Sequence, residues 1–566
     1  MLTVALAAVF GLLAGTLTAT GQHGDRIPIA VQRAEGAQQA EGTQRAEDTQ
    51  QAEGAQRADG TRLDYLIVGA RVYDGSGSPW ISAAVGISGD RISYVGPVAT
   101  APAAVETIDA AGLVLAPGFI DVHTHTVDLQ DPERSLATNY LTQGVTTLIT
   151  GNCGGGPWEI AETLAAMEAA GLGPNVGLLV GHGTVRRAAM GAEDRAPTAA
   201  ELEQMRDLVR QAMREGAFGM STGLFYAPGS FASTEEVVEL ARVVAEFGGL
   251  YDSHLRDEGS YSIGLVAAVQ EAITVGREAG LPVHISHIKA LGPESWGLAG
   301  EIVEIIEAAR AEGIEVTADQ YPYEASSTSL GAAVIPRWAM AGGSDALAER
   351  LGDASILGRI HEEMGTNIAR RGGAATLVIS SDRSGGSAYE QPIEGKSLAD
   401  LATLWEITPE EAAVRIQLAG GAQIVSFNML DEDIELFRRQ PWLMTASDGS
   451  LVLPGEGVPH PRSYGTFTRV FTHWVRESNL LTWEEAIRTA TSLPAQTHRL
   501  WDRGLVRPGA AADLVVFDAA RIHDRATYQA PHAYSQGVVH LFVNGQLAIR
   551  DGAITGQRGG RALRRQ

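Results

Sequence analysis

An α/β fold organised around a parallel sheet is predicted for this 566-residue chain by three observations. Through the middle of the sequence, strand-like apolar runs alternate with helix-periodic ones, the pattern that builds βα units. Several of those runs stop abruptly at one residue of metal-ligand type, as expected where the strands of a (β/α)8 TIM-like barrel end and catalytic groups collect. Shorter β-rich pieces bracket the repeat at both ends and point to a small β domain assembled from both termini.

Residues 1–21 open with Leu2–Leu13, an apolar and small-residue run of signal-peptide length and too short for a membrane span. They are read as a signal peptide, so a secreted or periplasmic protein is expected, with a cytoplasmic one as the alternative and no stable membrane span. Residues 22–62 hold a degenerate six-residue repeat with alanines at 34, 40, 46, 52 and 58. It carries almost no large apolar side chains, cannot offset the cost of ordering, and is read as a disordered linker.

The composite β domain is expected over 63–116 and 501–557. Tyr65-Leu-Ile-Val and Arg91-Ile-Ser-Tyr-Val belong to its first part, with turns at Asp74-Gly75 and Gly89-Asp90; Ala512-Asp-Leu-Val-Val-Phe and Val538-Val-His-Leu-Phe-Val belong to its second. The barrel is expected over 117–500. Thr234 to Phe247 illustrates its helices, with Thr234 as the cap, Glu235 and Glu236 in the first turn, and apolar residues at helical spacing. Irregular patterning within about 330–440 reads as an insertion covering the active face. The tail, 558–566, carries Arg558, Arg561, Arg564 and Arg565 and is expected to be disordered.

Ala116-Pro-Gly-Phe-Ile-Asp-Val-His123-Thr-His125 ends in two imidazoles that a strand would point the same way. Other apolar runs end in Cys153, His254, His287 and Asp448. Thiolate, neutral imidazole and carboxylate are the usual zinc donors. Cys153 is the only cysteine, so it forms no internal disulfide; the glycines at 154, 155 and 156 keep it accessible as a ligand. His182 and His284 are read as structural, the latter because its odd spacing from His287 puts it on the opposite strand face.

A net charge of -25, from 43 basic and 68 acidic residues, excludes a nucleic-acid partner, which needs a concentrated basic surface. Gly219-Met-Ser221-Thr-Gly223 satisfies the G-x-S-x-G pattern and makes a serine esterase the rival reaction class. That elbow needs a sharp strand-to-helix turn, yet the chain continues Leu-Phe-Tyr-Ala-Pro-Gly. A non-catalytic zinc-binding protein is the third reading.

From about Asp64 to about Arg550 the chain resembles the N-acyl-D-amino-acid deacylases (D-aminoacylases) of the amidohydrolase superfamily. Beyond the ligands, the resemblance is carried by Ser221-Thr-Gly-Leu-Phe-Tyr226-Ala-Pro-Gly, His254-Leu-Arg-Asp-Glu, Ser286-His-Ile-Lys289, Asp319-Gln-Tyr321-Pro-Tyr-Glu-Ala-Ser-Ser327-Thr and His460-Pro-Arg-Ser-Tyr-Gly. It implies a barrel of the metal-dependent hydrolase type. It also implies a tight zinc site at Cys153, His254 and His287, with His123 and His125 forming a second, weaker metal position. By the same resemblance, Asp448 is the general acid/base and Tyr226 polarises the scissile carbonyl. Lys289, Tyr321 and Ser327 match positions that hold the substrate carboxylate. The expected substrate is a small N-acyl-D-amino acid, with an N-carbamoyl compound or dipeptide of D configuration as the alternative; handedness comes from the resemblance alone. Oligomeric state is left open.

Overall fold

The computed structural model describes residues 62–385 and 388–565, so the expected leader and linker lie outside the described residues, Arg62 excepted. Eight parallel strands follow one another around a ring: β1 Phe119–His125, β2 Val145–Thr150, β3 Asn175–Leu178, β4 Gly219–Gly223, β5 Leu250–His254, β6 Val283–Ile285, β7 Val316–Gln320 and β8 Leu443–Thr445. β1, β2 and β3 pair in that order, and β4 through β8 pair in theirs. After Leu179, the β3 run resumes as Val180–Gly181 beside β4, and the β8 run resumes as Gly449–Ser450 beside β1. Those two interrupted runs close the barrel.

Parallel strands covered on both faces read as continuous apolar stretches, and all six residues of β2 are buried. Helices Ile160–Ala170, Ala199–Arg214, Thr234–Glu246, Leu265–Ala279 and Ala299–Ala311 return the chain between successive strands from β2 to β7. The helix expected from Thr234 starts there, but its cap is Ser233, whose hydroxyl accepts the Glu236 amide at 3.3 Å. Either hydroxyl suits a cap, so periodicity alone left the boundary one residue adrift.

Between β7 and β8 the chain builds an antiparallel sheet of Ala325–Ser329, Ala422–Phe427 and Leu377–Asp382. Its helices bury their own apolar cluster, including Ile360, Met364, Leu377 and Ile424. The first and last parts of the described chain meet in another sheet, where Val114–Pro117 lies antiparallel to Leu514–Phe517. Arg503 ties this layer to the barrel: it is paired with buried Asp513 and donates to Asn544, which donates to Asn175 of β3 at 2.6 Å. No described helix is long and apolar enough to cross a membrane.

The tail expected to be disordered is instead docked over 558–565. Val176 donates to the Arg561 carbonyl at 3.0 Å and accepts from the Leu563 amide at 2.7 Å, adding the tail to β3. Arg558 donates to the Gly171 carbonyl, Arg561 pairs with Asp90, and Arg565 donates to the Phe247 carbonyl. Those carbonyls belong to turns that precede β3 and β5, at the barrel end opposite the ligands. A run of arginines looked like a solvated segment because sequence does not show the carbonyls waiting for it.

His498 is fully buried, with Nδ1 3.2 Å from the Pro494 carbonyl and Nε2 without a hydrogen-bond partner. Burial first, then the nearby His284 ring, lowers its pKa to about 3. The unfolded chain therefore takes up this proton first as the solution is acidified. Its contribution to stability is complete above the ordinary histidine value and is lost as pH falls from there toward the folded value, at roughly 1.4 kcal/mol per pH unit. His498→Leu is expected to shrink the difference in urea midpoint between pH 7 and pH 5; an unchanged difference contradicts the assignment.

Candidate metal centre and active site

Every ligand candidate is placed by a strand end. His123 and His125 close β1, two residues apart, with ring centroids 5.7 Å apart. Cys153 sits in the turn after β2, His254 ends β5, and His287 follows β6. Asp448 lies between the two segments of the last barrel run, and its amide donates to the His123 carbonyl at 2.9 Å. Cys153, His287 and Asp448 take positive φ values of 55°, 32° and 49°, a region costly for residues with a Cβ and frequent at functional sites.

The Cys153 sulfur is the hub. It lies 3.4 Å from His123 Nε2, 3.5 Å from His254 Nδ1 and 3.6 Å from His287 Nε2. Zinc bonds of about 2.0 Å to nitrogen and 2.3 Å to sulfur at the tetrahedral angle put sulfur and nitrogen roughly 3.5 Å apart, which the sulfur–nitrogen spacings match, and two nitrogens roughly 3.3 Å apart, so the His254 Nδ1 and His287 Nε2 atoms, at 2.8 Å, must spread slightly around an ion. Two donor groups share this sulfur, one with His123 and His125 and the other with His254 and His287; a third joins His123, His287 and Asp448. Burial alone would raise the thiol pKa, but the facing His123 and His254 rings outweigh it and hold Cys153 well below its usual range. A thiolate is the form that binds metal.

Neighbouring carboxylates aim the rings. Asp319, on β7, lies 3.3 Å from His123 Nδ1 and 2.7 Å from His284 Nε2, and accepts the His287 amide at 2.9 Å. Glu258 lies 3.0 Å from His287 Nδ1, which turns Nε2 of that ring toward the thiol. Such partners fix ring orientation and raise ligand basicity. Asp448 Oδ1 is 3.0 Å from His125 Nε2, and its Oδ2 lies 2.9 Å from Arg462 Nη1 as an ion pair. Burial works against ionisation there, yet Arg462 and His287 hold the carboxyl well below the ordinary range.

The remaining sequence-predicted residues gather around this centre. The Tyr226 ring is 4.7 Å from that of His254, and its hydroxyl is 3.1 Å from Thr328 Oγ1. Tyr321 is buried with its hydroxyl unpartnered and its ring under Arg462 at 4.9 Å. Lys289 is buried, with Nζ 2.5 Å from Glu258 Oε1, the same oxygen that faces His287 Nδ1. Ser327 joins His125, Cys153, Tyr226, Asp448 and Arg462 in lining a cavity of about 560 Å³ walled on one side by the inserted sheet.

His182 stays apart, hydrogen-bonded to Glu236 at 3.0 Å, and His284 serves Asp319 rather than the ligand groups. Ser221 lies inside β4, fully buried, and its hydroxyl is taken up by two backbone groups. With no strand-to-helix turn and no imidazole partner, the serine-esterase alternative fails. Sequence reasoning did not single out Glu258, Asp319 or Arg462. Asp319 lies near the end of a strand as the ligands do, which was the available signal; Glu258 reaches the site from a loop and Arg462 from the first turn of a helix.

A closed ring of eight strands, with thiolate, imidazoles and carboxylate converging at the strand ends, defines a barrel hydrolase of the metal-dependent class. The chain belongs to the Amidohydrolase family, whose sequence model matches residues 106–549. It is 37% identical over 527 residues to the N-acyl-D-glutamate deacylase of Alcaligenes xylosoxydans xylosoxydans, covering 89% of this chain and 97% of that one. It is 35% identical to the D-aminoacylase of the same organism, over 89% of this chain and 98% of that one. Among solved structures, it is similar to the N-acyl-D-glutamate deacylase from Bordetella bronchiseptica complexed with zinc and a phosphonate inhibitor, a mimic of the tetrahedral intermediate. There the TM-score is 0.75 at 33% identity, over 89% of this chain and all of that one.

Proposed function

We propose that this protein is a zinc-dependent hydrolase that cleaves the amide bond of N-acyl-D-amino acids to a D-amino acid and a carboxylate. The observation that carries the reading is the convergence of one thiol and four imidazoles beside Asp448 at the mouth of the barrel. The relatives' shared action on N-acyl-D-amino acids supports the substrate class.

Cys153, His254 and His287 would hold the tight ion, and His123 and His125 a second one. Bound zinc supplies a water acidified toward about pKa 7 and a polarised amide carbonyl. Asp448, ionised and steadied by Arg462, takes the proton of the attacking water and returns it to the departing amine. Burial raises the Tyr226 phenol, so it stays protonated and donates toward the scissile carbonyl as negative charge develops there. Lys289, Tyr321 and Ser327 hold the substrate carboxylate, and Arg462 adds a guanidinium to the same cavity wall. The Leu2–Leu13 run supports a signal peptide and a secreted or periplasmic location.

Paired D and L N-acetyl amino acids, assayed alongside zinc quantitation, test the reading. Turnover confined to D substrates, lost on chelation and restored by zinc, is expected. Turnover of L substrates alone overturns the stereochemistry, and turnover of N-carbamoyl or dipeptide D-amides in preference overturns the substrate class. Full activity in protein stripped of metal overturns the mechanism.

A further inference from the structure

The G-x-S-x-G motif is not used as a nucleophile, yet its serine occupies a defined place beneath the metal centre. Ser221 Oγ donates to the Gly151 carbonyl at 2.5 Å and accepts from the Gly154 amide at 3.0 Å. A hydroxyl has one proton to give, so its donor and one acceptor site are both committed. The two backbone groups it holds lie on either side of Asn152 and Cys153, and the bracket spans the residue with φ of 55°.

That conformation needs support, because a residue with a Cβ loses free energy in the left-handed region unless its surroundings fix it there. β4 provides a seat for the turn. A Cβ on Gly223 would lie 2.2 Å from the Cys153 carbonyl oxygen, so only glycine lets the turn rest this close. On the other side, the Asn152 side chain donates to the Val122 carbonyl at 3.1 Å and accepts from the Thr124 amide at 3.3 Å. Asn152 thus ties the turn to β1, while Ser221 ties it to β4.

We infer that Ser221 is a positioning residue that clamps the 151–154 turn, so that a single Cys153 sulfur faces both imidazole groups at once. Without the clamp, the Gly151 carbonyl and Gly154 amide lose their partner, and the turn relaxes from the left-handed geometry that aims the thiol inward. Ser221 bears on zinc only through the ligand set proposed above; its hold on the turn does not depend on metal.

Cys153 is the only cysteine, so thiol alkylation of the intact, metal-free protein reports on this one side chain. Ser221→Ala removes both hydrogen bonds to the turn and is expected to speed iodoacetamide alkylation at least about ten-fold, since about 1 kcal/mol for each is typical of a buried hydrogen bond. It should also lower zinc retention against a competing chelator by a similar factor. Ser221→Thr, which keeps the hydroxyl, should restore both values to within about three-fold of wild type. Thr222→Val is the control: next to Ser221 on β4, it removes a buried side-chain hydrogen bond to Tyr251 of β5 and none to the turn, and should alkylate at the wild-type rate.

Equal alkylation rates for wild type and Ser221→Ala overturn the proposal, as does an equal acceleration in Thr222→Val. Faster alkylation in Ser221→Ala with no zinc bound by wild type would leave the clamp standing and remove the metal reading. Should Ser221→Ala fail to fold, amide exchange across 151–155 in the wild-type protein decides: protection comparable to β4 supports the clamp, and rapid exchange overturns it.

Discussion

Asp448→Asn is expected to lower kcat on an N-acyl-D-amino acid by about 10³-fold, within the range ascribed to a positioned acid or base, while zinc content stays at the wild-type level. Asparagine has the shape of aspartate, keeps an oxygen facing Arg462, and tolerates the positive φ this position requires. What it cannot do is take a proton from water and hand it to the leaving amine. A 10³-fold loss corresponds to roughly 4 kcal/mol of transition-state stabilisation. Steady-state kinetics with parallel metal analysis separates the two roles open to Asp448. If zinc falls in step with kcat, the carboxylate acts through the donor group it shares with His123 and His287. If kcat stays within ten-fold of wild type, the proton-transfer role is wrong.

The legibility of this site in the sequence follows from where its residues sit. Ligands at strand ends were readable because an apolar run stopping at a histidine, cysteine or aspartate is a local pattern, and β1 to β8 each end near the same mouth. The side chains that aim those ligands were not readable in the same way. Glu258 lies four residues past His254 in a loop, and its pairing with His287 and Lys289 depends on how β5 and β6 lie side by side. Arg462 enters from the first turn of the helix Arg462–Arg469, far along the chain from most of the ligands it faces. His287 shows a related limit: β6 ends at Ile285 and the ligand sits in a turn, so the strand-face rule that set His284 aside does not by itself aim His287. Periodicity describes regular backbone, and here part of the chemistry sits where the backbone departs from it. The docked tail makes the same point at the other end of the barrel, since its partners are turn carbonyls that no residue type announces.

Cys153→Ala is expected to cut kcat/KM by at least about 10⁴-fold, because zinc catalysis depends on an ion held by an ionised donor. One substitution removes the atom common to both imidazole groups, so bound zinc should fall at both positions. His125→Ala provides the contrast: it touches only one of those groups, and its side chain is 41% exposed, so the tight ion should remain. Stability should move separately from activity. The backbone at 153 is left-handed, where alanine bears a cost of about 1 kcal/mol or more that glycine does not. Cys153→Gly should therefore be as inactive as Cys153→Ala yet unfold at a higher temperature when both are free of metal. Chelator-resistant zinc, kcat/KM and melting temperature measured on the three variants test the claim together. Wild-type zinc content in Cys153→Ala would show that the thiolate is not the hub of the site, and a lower melting temperature for glycine would show that the turn is not held under strain.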